Sequence, residues 1–369
     1  MRRERLADDD DDDSRRMNVT PEWSSIVPTS VSQTLALRER VSHASLSLSS
    51  AGAQQSVVNK IRFNHTGEYA VTCKNRAVFL VNPKTDVCLK TYEGAHAREV
   101  RDCISSRDNS KLASVGGDKG VFVWDVKTGQ TVRRFIGHDA FGVNCVKFLL
   151  GNSNEESVIV SCGFDRCVKF WDLRSNRQHE AMETVGSQFS DAAMDLTLSG
   201  GRGGGKTNEV TACSIDGTVR TFDIRKGELR VDTLFGQQPV TAVENSADDR
   251  LVLATLPKTV ALMDKITGEV LQTFSGFNND QNVVLRATFT PDDRYVVLGD
   301  AVGDICIWDV LSNETLNSQP QRIPNAHAKS ISNVCFHPSE ASFGGKGGGG
   351  RKKHLMLSCA ADGFAKFWS

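Results

Sequence analysis

The stretch His138–Asp172 decides how this chain folds. After Gly137-His138 come an alternating run Val143–Leu149, a loop, a second run Val158–Cys162, a turn at Gly163-Phe164-Asp165-Arg166, and Cys167–Phe170 ending in Trp171-Asp172. Short alternating runs joined by a Gly/Asp turn read as a β-hairpin. Four residues here do more than alternate. His138, Ser161, Asp165 and Trp171 are the types that can form one buried hydrogen-bond chain. Imidazole donates to the carboxylate from one nitrogen and meets the hydroxyl with the other, while the indole N–H binds the hydroxyl and its ring fills the core.

The same spacing recurs. Ser161 to Asp165 is four residues and Asp165 to Trp171 six; Ser114, Asp118 and Trp124 repeat it, as do Ser358, Asp362 and Trp368, with His96 and His327 upstream. Weaker copies keep the frame and lose the polar groups: Val71/Asn75/Val81, Ala212/Asp216/Phe222, Leu253/Pro257/Met263 and Leu298/Val302/Trp308. That makes seven units. Their aspartate-equivalents Asn82, Asp125, Asp172, Asp223, Asp264 and Asp309 set a period of about 41 to 51 residues, with a longer last step of about 60. Periods of this size with Gly-His and Trp-Asp marks resemble WD40 propeller blades, each a four-stranded sheet that cannot bury its faces alone. The expected fold is therefore all-β: a seven-bladed WD40 β-propeller over residues 43–369, closed by an N-terminal strand and preceded by a disordered tail.

Composition agrees with one large repeat domain. The 369 residues exceed a usual single core, but closed repeat folds grow by packing blade on blade. A net charge of −1 provides no whole-molecule field toward nucleic acid or membrane. The ten cysteines never form Cys-x-x-Cys, and Cys162 and Cys167 merely flank a turn. They read as small core thiols, with no metal or cofactor expected. No secretory segment and no apolar run near 18 residues is visible, so a soluble intracellular chain is expected, in the reducing cytoplasm or nucleus.

Residues 1–42 contain three early arginines, six consecutive aspartates (Asp8–Asp13) and a Ser/Pro/Thr-rich stretch. Such a segment buries too little apolar surface to offset its ordering entropy; within it Val31–Val41 could form a short helix. Ser45-Leu46-Ser47-Leu48-Ser49 alternates with period two and reads as a strand. The last unit ends at Trp368, so blade seven lacks its outermost strand, and residues around 43–49 are expected to supply it and cover an edge that would otherwise template aggregation.

Two basic glycine-rich insertions, 199–207 and 339–353, interrupt blades four and seven. The first contains Gly-Gly-Arg-Gly-Gly-Gly-Lys-Thr (Gly200–Thr207) and fits the G-x-x-x-x-G-K-[ST] phosphate-loop pattern. A working loop of that kind opens a helix, whereas Glu209–Cys213 alternates as a strand and runs into the Asp216-Gly217 turn. Nucleotide binding is therefore not expected. The two insertions sit on distant blades, so RNA contact is expected to be indirect or weak.

The His/Ser/Asp sets resemble catalytic triads in composition only. A nucleophilic serine must be exposed beside an oxyanion site, while these are tied to a tryptophan and repeat three times, which suits a structural fastener. No enzymatic activity and no small-molecule substrate are expected, and function should reside in protein binding. Turn residues just before the aspartate position point to the histidine-bearing face. Phe164, Ile215 and Leu256 on successive blades, bordered by Phe141 and Phe277 and rimmed by Arg98, Glu99 and Lys329, are expected to form a docking surface.

A closer resemblance lies in Glu99-Val-Arg-Asp, Ser114-Val-Gly-Gly-Asp-Lys-Gly-Val-Phe-Val-Trp-Asp-Val, Thr128-Gly-Gln-Thr-Val-Arg-Arg-Phe, Trp171-Asp-Leu-Arg-Ser, Asp216-Gly-Thr-Val-Arg-Thr-Phe-Asp-Ile-Arg and Asp264-Lys-Ile-Thr-Gly-Glu-Val-Leu. In order and spacing these are similar to the mitogen-activated protein kinase organizer family of WD-repeat scaffolds. The resemblance implies a cytoplasmic and nuclear protein, monomeric within larger assemblies, that gathers kinase-cascade or splicing-complex components and contacts no membrane. Ala287-Thr-Phe-Thr-Pro-Asp-Asp-Arg and Ala360-Ala-Asp-Gly-Phe-Ala-Lys-Phe-Trp look somewhat like a propeller subunit of histone-methyltransferase complexes, a second reading. Trp171-Asp172-Leu173-Arg174 and Phe222-Asp223-Ile224-Arg225 match the Trp-Asp-x-Arg element of cullin-type ubiquitin-ligase substrate receptors, a third.

Overall fold

Strands rich in β-branched and aromatic residues, such as Gly120–Asp125 (Gly-Val-Phe-Val-Trp-Asp), alternate with tight turns along the chain. The computed structural model describes residues 31–35, 57–139, 142–150, 156–175, 180–185, 189–200, 208–311, 319–338 and 354–368. Over these it contains strands and turns only, arranged as seven four-stranded antiparallel sheets. Six blades are built from consecutive strands. Blade three, for example, runs Val143–Leu149, Val158–Gly163, Val168–Asp172 and Glu183–Val185 from inside to outside. Burial follows that order: Val168–Asp172 is buried at four of its five positions, while the outer strand of blade two, Thr131–Ile136, is buried at only one of six.

The core is divided among the gaps between blades. Seven apolar clusters are found, each drawing on two neighbouring blades. One of them joins blade seven to blade one, with Leu357, Cys359 and Phe367 packed on Ile61, Phe79 and Val81. No blade owns a complete core, which is the physical reason the repeats must close on themselves.

Blade seven is composite. Its three inner strands, Ile331–Phe336, Met356–Ala360 and Ala365–Trp368, are followed at the edge by Val31–Leu35, which runs antiparallel to Ala365–Trp368 with Val31 opposite Trp368 and Leu35 opposite Ala365. Closure by an N-terminal strand is thus observed, but at a different place from the one expected. The strand lies inside the span read as an unfolded tail, where a short helix had been allowed. Residues 43–49, the expected closing strand, lie outside the described residues, as do residues 1–30 and the insertions at 201–207 and 339–353. Both Val31-Ser-Gln-Thr-Leu and Ser45-Leu-Ser-Leu-Ser have strand-like composition. Only the open edge of blade seven selects between them.

In five blades the first strand carries the same irregularity. The register shifts between Val58 and Lys60, Val100 and Asp102, Val143 and Cys145, Ala193 and Asp195, and Ile331 and Asn333. A bulge leaves one residue unpaired and re-aims its neighbours, and here the freed residues reach sideways. Asn59 Nδ2 donates to the Val100 carbonyl at 2.7 Å, Arg101 Nη1 to Asn144 Oδ1 at 3.0 Å, and Asn144 Nδ2 to the Ala193 carbonyl at 2.9 Å. Blades one to four are stitched together through this one device.

Candidate functional site

In blade three His138 Nδ1 lies 2.9 Å from Asp165 Oδ2, His138 Nε2 lies 2.8 Å from Ser161 Oγ, and Trp171 Nε1 donates to Ser161 Oγ at 2.8 Å. Blade two repeats the circuit with His96, Asp118, Ser114 and Trp124, each contact at 2.8 Å. Blade seven repeats it with His327, Asp362, Ser358 and Trp368 at 2.9, 2.8 and 2.9 Å. One tautomer pairs both ring nitrogens, the hydroxyl and the indole N–H in each circuit, while Asp165 Oδ1 is left without a hydrogen-bond partner among the described residues. With the proton on Nδ1, imidazole donates to the carboxylate and accepts the serine O–H at Nε2, while the serine oxygen accepts the indole N–H. Ser114, Ser161 and Ser358 are each 0% exposed, so none of them meets solvent.

Electrostatics follow burial. Burial lowers the His96 pKa, and the hydrogen bond and charge of Asp118 only partly oppose it, which favours the neutral imidazole. Burial by itself would raise the Asp165 carboxyl, but the hydrogen bond and charge of His138, with Lys169 Nζ 3.1 Å away, bring it down to about 2. The buried thiols are pushed the other way, Cys306 to about 12, chiefly by burial. Among the described residues no group of three or more His, Cys, Asp or Glu side chains could hold a metal ion.

Blade six departs from the pattern, and its departure corrects two expectations. Phe277, expected at the surface, is only 9% exposed and packs edge-on against Trp308, centroids 6.1 Å apart. It occupies the histidine's place, where no serine or carboxylate awaits it, and Trp308 Nε1 donates instead to the Ser275 carbonyl at 3.2 Å. The turn carboxylate is not missing from this blade but displaced. Asp300, 0% exposed, accepts the backbone N–H groups of Val302, Gly303 and Asp304 at 3.0, 3.0 and 2.9 Å. Val302, which the sequence frame put in the aspartate position, is left outside the turn and exposed.

The expected docking surface is only partly assembled. Phe164 is exposed, with the Arg101 guanidinium 5.0 Å over its ring, and Arg98, Glu99 and Lys329 are also exposed. Ile215 is half-buried against the cluster between blades four and five. Leu256 is only 3% exposed and belongs to that same cluster. In blade five, where Pro257 replaces the aspartate, the turn closes by a bond from the Leu256 N–H to the Thr259 carbonyl at 2.8 Å. With no polar circuit to fill the space, the leucine packs inward. Phe141 lies outside the described residues.

Two groups escaped the sequence reading. The first is on the histidine-bearing face: Val302 (57% exposed) and Phe364 (42%) occupy the turns between the second and third strands of adjacent blades six and seven, the turn type that presents Phe164 (36%) on blade three. Phe364 follows the tetrad aspartate Asp362 by two residues, so a search restricted to the residue before the aspartate could not find it. The second lies along the ring axis. Lys60, Asp102, Asp195 and Asn333 each stand third in the first strand of a blade, directly after the bulge. A polar residue recurring at this third position was the available signal.

The family description WD domain, G-beta repeat matches residues 86–125, 129–172 and 318–369, which contain the three complete circuits. The chain is 36% identical over 287 residues to WD repeat domain-containing protein 83 of Xenopus tropicalis, and 34% identical over 288 residues to the protein of that name from Rattus norvegicus. Each alignment covers 78% of this chain and 84% of the relative. It is also 23% identical over 296 residues to Pre-mRNA-processing factor 17 of Homo sapiens, covering 76% of this chain and 44% of that protein. Seven blades, three intact His–Ser–Asp–Trp circuits and these alignments together mean that the chain belongs to the WD40-repeat family, in the group of WD repeat domain-containing protein 83.

Proposed function

We propose that this protein is a non-catalytic scaffold that docks protein clients on its histidine-bearing face, and that the clients are components of a mitogen-activated kinase cascade or of pre-mRNA splicing complexes in the cytoplasm and nucleus. The observation that carries this reading is the exposure of Phe164, Val302 and Phe364 on one face of the ring. Beneath Phe164 and Phe364 the histidine, serine and tryptophan of each tetrad are paired with one another, and none of the three exposed side chains takes part in a circuit. Exposed apolar and aromatic groups rimmed by charge, here Arg98, Glu99 and Lys329, suit a protein contact. The client classes are supported by likeness to WD repeat domain-containing protein 83 and by the name of Pre-mRNA-processing factor 17. The sealed serines support a role without catalysis.

The test is affinity purification with quantitative mass spectrometry of the wild type and of a Phe164→Asp, Val302→Asp, Phe364→Asp triple variant. The expected result is recovery of kinase-cascade or spliceosomal proteins by the wild type and at least about a tenfold loss from the variant, at unchanged melting temperature. That loss corresponds to about 1.4 kcal/mol or more of binding free energy. Equal recovery by both proteins would remove this face from the account. A co-purifying cullin adaptor that Arg174→Ala releases, or methyltransferase subunits in place of kinases, would transfer the function to one of the other two readings.

A further inference from the structure

The axis of the ring is a channel of about 430 Å³ whose wall receives residues from the first strand, or its immediate approach, in all seven blades. Its charges are not balanced pairwise. Asp102, 0% exposed, is saturated: Arg62 Nη2 lies 3.0 and 2.9 Å from its two oxygens, and it also accepts the N–H groups of Cys103 and Val146. Arg286 Nη1 pairs with Asp195 Oδ2. This leaves Lys60 and Lys147, both lining the same space, with no hydrogen bond or ion pair among the described residues, and Lys60 is only 5% exposed. An ammonium withdrawn from bulk water and given no partner is costly. Three further buried atoms on this wall, Arg62 Nε, Asp195 Oδ1 and Asn245 Oδ1, also have no hydrogen-bond partner among the described residues.

We propose that the channel binds a small multivalent oxyanion of the phosphate class, gripped by Lys60 and Lys147 and oriented by Asp195. The unpartnered groups comprise three donors, on Lys60, Lys147 and Arg62, and two acceptors, Asp195 Oδ1 and Asn245 Oδ1, which suits hydrogen phosphate: several acceptor oxygens and a P–O–H that donates to Asp195 Oδ1. Sulfate at neutral pH has the same shape and charge but no proton to donate, so it would face the Asp195 oxygen with a lone pair. Burial, with Arg286 and Arg62 nearby, lowers the Lys60 pKa to about 8 against the opposing charges of Asp102 and Asp195. The channel has room for the oxyanion and for ordered waters of about 30 Å³ each. Because the two lysines stand on the wall and not on an outer surface, the ligand is a free ion or a small phosphate compound and not a phosphorylated protein.

The experiment uses the full-length chain at pH 7, with sodium phosphate, sodium pyrophosphate, sodium sulfate and a phosphoserine peptide titrated at constant ionic strength in chloride, followed by calorimetry and by melting temperature. Saturable binding of phosphate is expected, with sulfate at least about tenfold weaker and the peptide not competing; tighter pyrophosphate binding would identify a larger phosphate compound as the source. Lys60→Met and Lys147→Met are each expected to weaken phosphate at least about tenfold, Lys60→Arg to retain it, and Asp195→Asn to narrow the preference over sulfate. Failure of phosphate to saturate the wild type, or equal binding of phosphate and sulfate, would overturn the proposal without recourse to any variant. So would full affinity in the folded lysine variants. Displacement of phosphate by the peptide would replace the free ion with a phosphoprotein.

Discussion

The serine of each circuit is its most constrained member, because its one oxygen meets both the imidazole and the indole. Removing the Ser161 hydroxyl leaves Trp171 Nε1 and His138 Nε2 unpaired inside the blade. Ser161→Ala is therefore expected to lower the unfolding free energy by about 1–3 kcal/mol in urea titrations; a change under about 0.5 kcal/mol would mean the circuit does not fasten the blade. Acid should act on the same groups. Asp165 sits at about 2 in the fold against about 3.9 unfolded, so its stabilisation is complete above about pH 4 and lost as pH falls through about 2. His96 is also lowered in the fold, so below its ordinary value of about 6.5 the unfolded chain takes up its proton first and stability again falls. Urea midpoints are expected to decline from about pH 6.5 downward and further below about pH 4, with the lower stage flattened in Asp165→Asn. The circuits were legible in the sequence because four distinctive chemistries recur at fixed spacing. Asp300 was not, because it performs the turn's work two residues ahead of the frame.

At the scale of the element, bulges and the closing strand decide how blades meet. The bulged residues Asn59, Arg101 and Asn144 make contacts that belong to the ring and to no single blade. The strand Val31–Leu35 adds backbone bonds to an edge that the chain's other six blades cover with their own fourth strand. A chain starting at residue 37 is expected to melt at least about 5 °C lower than the full chain and to aggregate on heating, whereas one starting at residue 25 should melt with it. Equal melting of the residue-37 chain would show that another segment closes the ring. Blade seven draws only three of its strands from the same stretch of chain and takes its fourth from Val31–Leu35. The identity of that fourth strand could not be read from the sequence, since a strand's partner is chosen by whichever edge is left unpaired, and period-two composition occurs at both 31–35 and 45–49.

For the whole molecule, the seven clusters between blades make each sheet depend on both neighbours, and closure produces two separate places for function. The exposed Phe164, Val302 and Phe364 sit on the face of the histidines, while the lysines are on the wall of the axis, so variants at one place should leave the assay of the other unchanged. The sequence by itself determined the number of blades and the three circuits, because these depend on local spacing and on side-chain chemistry that neighbours in the chain already satisfy. Only the tertiary structure decided that Leu256 and Phe277 turn inward, that Val302 and Phe364 turn outward, which segment closes blade seven, and that Lys60 and Lys147 face one space without partners among the described residues. Each of those outcomes depends on volume and charge contributed by residues from other blades, and that sum exists only once the ring has closed.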